Sequence, residues 1–462
     1  MELYVTELSK YVIVILMLFY TAQSFLVFRY RSESKRSGIY TRQTVFLFLT
    51  QIACLVQIVA TTGNITYLLF GAFQIIIIFA IIIMYYFIYP EGNRLIINNL
   101  CMLLMIGMVM LTRLNYDKAV KQFIIALASI VIGLFVPELV YRFVFLRKFK
   151  YIYALAGITM LGVVLVLGSV TNGSKISYTF MGITFQPSEF VKIIFIFFLA
   201  AAIYDNQSFS NLLMVAVLSA VHVMILVLSK DLGSALIFFI VFTFMIFIAT
   251  RNIGYFLGCV GIGAAASIVA YNLFSHVQAR VTAWLDPWTE IDSSGYQITQ
   301  SLFGISSGGW FGLGLFGGTP TTIPFVEADF IFSAIAEELG IIFAVLMTLV
   351  CLSTFFMMMM EAFHVRDGFY RLLAVGIAVT YIFQVFLTIG GGTKFIPLTG
   401  VTLPLVSYGG SSVLTTIMMF SIFEGICMIR QDEHYQAIEK RRARKSRQSR
   451  GDEEVYATRN TR

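Results

Sequence analysis

Charge is scarce in this chain. Asp, Glu, Lys and Arg make up 12% of its 462 residues, about half the roughly 25% of a soluble globular domain. With 58% hydrophobic residues and a mean hydropathy of +0.85, so little charge excludes a soluble enzyme and predicts a polytopic membrane protein. The net charge of +7 is then no sign of nucleic acid, because basic residues of such chains gather in cytoplasmic loops. Cysteines are few. Cys54, Cys101, Cys259, Cys351 and Cys427 all lie in apolar runs, with no C-x-x-C and no Cys/His pairing, and read as small packing residues. His222, His276, His364 and His434 are scattered, so no metal cluster can be assembled from them on paper. No G-x-x-x-x-G-K-[ST] occurs, which argues against a nucleotide site. The first apolar run, 11–28, has neither a basic leader nor a small-residue cleavage site, so no cleaved signal peptide is expected.

What remains is long apolar runs. A spanning helix needs roughly 20 such residues. About thirteen candidates follow, near 11–29, 43–62, 66–89, 96–112, 118–138, 151–170, 188–205, 210–228, 232–250, 253–274, 329–360, 369–390 and 404–428. The fold class predicted is therefore all-α and polytopic. Basic residues crowd the connections at Arg29–Arg42, Arg142–Lys150 and Arg366–Arg371. With thirteen spans these loops share one side, which the positive-inside rule makes cytoplasmic. The N-terminus and the long polar loop, about 275–328, are then extracellular. The tail, 431–462, is cytoplasmic, basic and polar, and is expected to be disordered. Residues 1–95 hold three nearly featureless spans that read as an accessory bundle. No internal repeat stands out, which weakens a transporter built of inverted halves.

The polar stretches carry the chemistry. The longest runs from Trp284 to Gly340 and is rich in glycine. Its segment GGWFGLGLFGG, 308–318, cannot stand as a free helix or strand. At membrane depth such backbone needs protein or a water-filled cavity around it. The stretch delivers Asp329 to the head of an apolar helix, with Glu337 and Glu338 two turns below. A carboxylate entering a span is a candidate functional residue. Asp329 reads either as a helix-start acid held by the dipole or as a general base raised by burial. QPSEFVK, 186–192, opens the seventh span with Pro187 at a helix start. Glu189 and Lys192 share a face there, as an interfacial ion pair or as the polar wall of a cavity that meets phosphate. SKDLGSAL, 229–236, places Asp231 where simple helix capping explains it. TIGGGTKFIPLTGVTLPLVSYGGSS, 388–412, is an outer loop whose only charge is Lys394.

QPSEFVK, KDLGSA, DPW…GYQITQSLFGISSGG, DFIFSAIAEELG and PLTGVTLPLVSYGGSS resemble, in order and spacing, the SEDS family (FtsW/RodA/SpoVE) over residues 96–430. The resemblance implies a ten-helix body, here with three extra N-terminal helices. It implies a peptidoglycan glycosyltransferase of the bacterial cytoplasmic membrane that polymerises lipid II, the undecaprenyl-pyrophosphate-linked disaccharide peptide. It further implies a class B penicillin-binding transpeptidase and other divisome or elongasome membrane proteins as partners, and no nucleic acid. Asp329 matches the family's essential aspartate. Lys192, Lys394 and Arg280 are the cations expected to meet pyrophosphate, with Gln186, Ser188, Glu189 and Ser407 beside them. Lys175 stands where the family carries arginine, no Trp precedes QPSE, and Thr388 replaces an Asn, so Lys175 is a weaker ligand candidate. The resemblance leaves room for a divalent cation, Mg or Mn. It does not separate division, elongation and sporulation paralogues. The same cavity would also serve a lipid II flippase, the alternative reading, and a structural scaffold is a third. Polymer made from lipid II in detergent separates the first two; survival of function in Asp329→Ala would mark a scaffold.

Overall fold

The computed structural model describes residues 2–30, 32–171, 174–180 and 183–460. Side chains are described from Thr6 to Lys440, except at 31, 144, 169–176 and 179–184. Three helices come first: α1 (Glu2–Leu26), α2 (Glu33–Thr62) and α3 (Ile65–Ile88). Next are α4 (Arg94–Leu114), α5 (Tyr116–Gly133), α6 (Val136–Arg142), α7 (Lys150–Leu167), α8 (Pro187–Ile203), α9 (Phe209–Leu228), α10 (Leu232–Thr250) and α11 (Ile253–Leu273). The polar stretch holds α12 (Ser275–Leu285) and α13 (Tyr296–Gly308). The chain closes with α14 (Ile331–His364), α15 (Gly368–Gly392) and α16 (Gly410–Asn460). Among the described residues, 12 spans are long and apolar enough to cross a membrane. The 17-residue α8 falls just short of that length and supplies the thirteenth. The all-α polytopic expectation holds.

One local expectation needs correction: the span placed near 151–170 stops at Leu167 and gives way to strands. Strands β1 (Ser169–Thr171), β2 (Ser174–Phe180) and β3 (Ile183–Phe185) form a small antiparallel ribbon in sequential order. Ile176, Tyr178 and Phe180 alternate with polar residues, the period-two signal of a strand. Residues 431–460 continue α16. Its Ala, Glu, Lys, Arg and Gln are good helix formers with no proline among them.

The core is built on α4. Every residue from Leu95 to Thr112 is buried, so this helix has no lipid face. Asn93 starts it, its side chain accepting the backbone N–H groups of Leu95 and Ile96. The first three helices are less featureless than their composition suggests, because they reach α4 through amides and hydroxyls. The Tyr20 hydroxyl donates to Asn99 at 2.9 Å, and Asn99 donates to Ser353 and Thr354 of α14 at 2.9 and 3.0 Å. Gln43 donates to Ser24 at 3.0 Å and accepts from Asn98 at 3.2 Å. Such polar side chains hold helices together where no hydrophobic effect acts between them.

α14 is not one continuous rod. It breaks at Gly340, where φ is 88° and ψ is 159°. The glycine-rich segment fills the break. Leu313 and Gly314 donate backbone N–H groups to the carbonyls of Glu337 and Glu338 at 3.0 and 2.8 Å. Ile341 and Ile342 donate to those of Gly309 and Trp310 at 3.1 and 3.3 Å. The glycines are there to let two backbones touch. A Cβ on Gly312 would sit 2.2 Å from the Glu338 carbonyl oxygen. Gly312→Ala should therefore cost roughly 3 kcal/mol or more, combining overpacking with a disfavoured positive φ. Gly309 also has positive φ, but a Cβ there meets nothing within 4 Å, so Gly309→Ala should cost only about 1 kcal/mol. Thermal unfolding of the two variants in detergent checks this; equal losses would mean that close packing of the loop is not what matters.

Candidate active site

Asp329 lies two residues ahead of α14, on a turn in which its own N–H donates to the Phe325 carbonyl at 3.1 Å. It therefore precedes the helix rather than opening it. The loop 401–409 holds this turn in place. The Ser407 hydroxyl donates to the Ala328 carbonyl and accepts from the Leu403 N–H at 2.9 Å. The Tyr408 N–H donates to the Glu327 carbonyl at 2.7 Å, and Lys118 forms an ion pair with the Glu327 carboxylate. Gly400 closes over the acid: a Cβ there would lie 3.9 Å from Asp329 Oδ2. Among the described residues, the Asp329 carboxylate receives no hydrogen bond.

A partly buried carboxylate with no donor is harder to ionise. Burial pushes Asp329 up to about 6, against the pull of the Arg280 guanidinium. Arg280 comes from α12. Its Nη1 donates to the Leu398 and Thr399 carbonyls at 3.3 and 3.2 Å. Trp284, one turn on and on the same face, donates its indole N–H to the Lys394 carbonyl at 3.1 Å. α12 is thus pinned across the loop that flanks Asp329. Burial lowers the Arg280 pKa, while Asp231 and Asp329 hold it up. The guanidinium is thus within electrostatic reach of two carboxylates.

The expected site residues fall into three groups. Asp329, Arg280, Ser407 and the Lys394 loop come together. Lys394 adopts φ 61° and offers its carbonyl to Trp284. Gln186 and Ser188 form a neighbouring cluster on Asp231. The Ser188 hydroxyl donates to Asp231 Oδ2 at 3.0 Å, and the Gln186 amide donates to Ser188 at 3.1 Å. Lys192 and Glu189 do not face the mouth. Lys192 is 2% exposed, paired with Glu189 at 2.8 Å and donating to Gln384 at 2.8 Å. Glu189 also accepts from the Thr415 hydroxyl at 3.0 Å. The expectation that Lys192 meets phosphate is corrected: its ammonium joins α8, α15 and α16 inside the body. Lys175 lies on β2, and its side chain is outside the described residues.

Three neighbours were missed as site residues. Asp231 caps α10, accepting the Ser234 N–H at 3.1 Å, as the sequence suggested, but it also reaches Arg280. Lys230 is exposed and held at φ 63°. His276, a turn before Arg280, has its pKa lowered by burial first and then by Lys230 and Arg280. The motif KDLGSA contained two of the three. Arg280 and Lys230 thus bring positive charge to the mouth, which suits a leaving group with several negative charges. Among the described residues no three His, Cys, Asp or Glu side chains converge on a metal position. Two carboxylates already in the field of a guanidinium do not make a dedicated metal cage.

Deeper down, two further acids are held by the protein. Glu338 pairs with Arg113 at 2.8 Å, and Arg113 stacks over Phe316 of the glycine-rich loop at 4.4 Å. Glu337 accepts the Thr319 N–H at 2.7 Å. These acids brace the loop beneath Asp329.

The sequence profile of the FtsW/RodA/SpoVE family, described as a cell cycle protein, matches residues 93–432. The chain is 33% identical over 366 residues to the peptidoglycan glycosyltransferase RodA of Mycobacterium bovis, covering 73% of this chain and 78% of that one. It is 34% identical over 276 residues to the probable peptidoglycan glycosyltransferase FtsW of Aeromonas salmonicida, covering 57% and 69%. A chain solved in a peptidoglycan synthase complex, described for coordination of polymerization and crosslinking, superposes with a TM-score of 0.63 at 25% identity, over 74% of this chain and 98% of that one. The Thermus thermophilus rod shape determining protein RodA shares the fold, with a TM-score of 0.55 at 23% identity over 73% and 97%. With the profile running from the start of α4 into α16, the chain belongs to the FtsW/RodA/SpoVE family of cell cycle proteins.

Proposed function

We propose that this protein is a peptidoglycan glycosyltransferase that polymerises lipid II at the outer face of the bacterial cytoplasmic membrane, in cell-wall synthesis for division or elongation. The observation that carries the reading is Asp329, a partly buried carboxylate without a hydrogen-bond donor, beside Arg280 at the mouth of the bundle. Transfer of a glycan forms a bond from an acceptor sugar oxygen to an anomeric carbon. The bond from that carbon to the lipid pyrophosphate breaks, and its electron pair leaves on the pyrophosphate. The acceptor hydroxyl proton passes to Asp329, whose raised pKa puts a base near working pH. Arg280, with Lys230 close enough for both to depress the His276 pKa, offsets the charge that grows on the pyrophosphate. A divalent cation, Mg or Mn, enters this scheme only as a companion of the substrate pyrophosphate.

The basic loops support an orientation with the Asp329 end and the N-terminus outside and the C-terminus in the cytoplasm. A reporter fused after Asp432 should read as cytoplasmic; an external signal there overturns this orientation. A class B penicillin-binding transpeptidase is the proposed partner, supported by the similar chain's place in a synthase complex, with other divisome or elongasome membrane proteins around it.

The experiment is polymerisation of purified lipid II by the purified full chain in detergent. Glycan strands should form. A flippase would move lipid II across vesicles and leave no strands, and the relatives' names do not favour it.

A further inference from the structure

A second cavity lies at the end of the bundle opposite Asp329, where α2 and α3 meet α4 and α16. Its volume is about 260 Å³, far above the roughly 10–15 Å³ that houses one water. Its walls include Tyr40, Val45, Tyr86, Arg94 and Glu424. None of them belongs to the glycosyl-transfer site.

Two opposite charges line this cavity, and neither has an ionic partner among the described residues. Glu424 is 0% exposed. Its Oε2 accepts the Asn93 N–H at 2.7 Å, while its Oε1 has no partner. The neighbouring arginine, Arg430, is already taken by Glu361 at 2.8 Å. Arg94 makes no ion pair; its guanidinium lies 4.1 Å from the centre of the Tyr86 ring. A carboxylate this deep needs a proton or a cation. Tyr40, Tyr85, Tyr86 and Tyr89 also line the cavity, and aromatic rings attract cations. An arginine at the rim is a phosphate ligand in waiting. Val45 and Tyr86 are 50% and 47% exposed, so the mouth opens sideways onto the spanning surface. A fitting ligand has a cation, an anion close to it, and an apolar tail that leaves through that mouth.

We propose that this cavity binds the headgroup of an aminophospholipid, with its primary ammonium on Glu424 and its phosphate on Arg94. The acyl chains leave past Val45 into the bilayer. Because the walls come both from the three N-terminal helices and from the body, occupancy clamps the two together. This site is independent of the glycosyltransferase reading.

The test is intact-protein mass spectrometry of the full chain in detergent. It is titrated in turn with short-chain phosphatidylethanolamine, phosphatidylglycerol and free phosphoethanolamine. One phosphatidylethanolamine should be retained about tenfold more tightly than phosphatidylglycerol, the scale of one charge-assisted hydrogen bond. Glu424→Gln should erase that preference, and Arg94→Leu should weaken both lipids alike. If Glu424→Gln does not fold, Tyr86→Ala at the exposed rim stands in and should lower retention of the amine lipid. Equal binding of the two lipids by the unaltered protein overturns the proposal. So does a preference unchanged in the variants. Free phosphoethanolamine binding as tightly as the lipid would mark a site for a soluble amine and overturn the lipid assignment.

Discussion

Asp329→Asn is expected to slow lipid II polymerisation by roughly 10²–10⁴-fold, the usual contribution of a general base, and to leave a more stable protein. The amide keeps the shape and cannot take the proton. The gain in stability follows from the sign of the pKa shift. Burial raises the Asp329 carboxyl to about 6 from an ordinary value of 3.8, so the fold prefers the protonated form. At pH 7.5 the charged form weakens the fold by about 1–3 kcal/mol, and asparagine removes that weakness. Below about pH 3 both folded and unfolded carboxyls hold their protons, and the two proteins should unfold alike. Thermal unfolding in detergent at pH 7.5 and about pH 3 therefore accompanies the rate measurement. An inactive variant that is also less stable at pH 7.5 would point to Asp329 as a structural acid.

Arg280→Met should produce the second large effect, lowering kcat/KM by roughly 10²–10³-fold, the scale of removing one preorganised stabiliser of developing charge. It carries a second signature. Arg280 is the group that pulls the Asp329 pKa down, so without it the carboxyl should rise further. The acid limb of the pH–rate profile should then move to higher pH. Arg280→Lys keeps the charge and should keep the limb in place. It loses the Nη1 that bridges the Leu398 and Thr399 carbonyls, so part of the rate should still be lost. A limb that stays put in Arg280→Met would mean the two side chains do not communicate.

The sequence showed Asp329 plainly, because a carboxylate at the head of an apolar run stands out in any window. The thirteen spans were legible for the same reason. Lys192 was misjudged because what decides its role is distant in sequence. Gln384 and Thr415, 192 and 226 residues away, enclose the Glu189–Lys192 pair, and a local motif cannot show which way a helix face turns. Ser407 was selected as a ligand, whereas its hydroxyl ties down the turn that carries Asp329. Asp231 was correctly read as a cap, and that reading hid its second role beside Arg280. The break at Gly340 was invisible as such, since ELGIIF reads as uninterrupted helix. The clue lay in the glycine-rich run 308–318, whose N–H and C=O groups needed partners somewhere. The N-terminal helices looked inert because their glutamines and asparagines are dispersed among apolar residues. Only in three dimensions do Gln43, Asn98 and Asn99 meet.

The most direct measurement of the central claim is the pH dependence of lipid II polymerisation by the purified, unaltered chain between pH 5 and 8. A base with a pKa of about 6 predicts that log kcat/KM climbs with unit slope at low pH, bends near 6 and is level above it. A profile flat across that bend, in a protein that remains folded throughout, would contradict Asp329 as the group that takes the acceptor's proton.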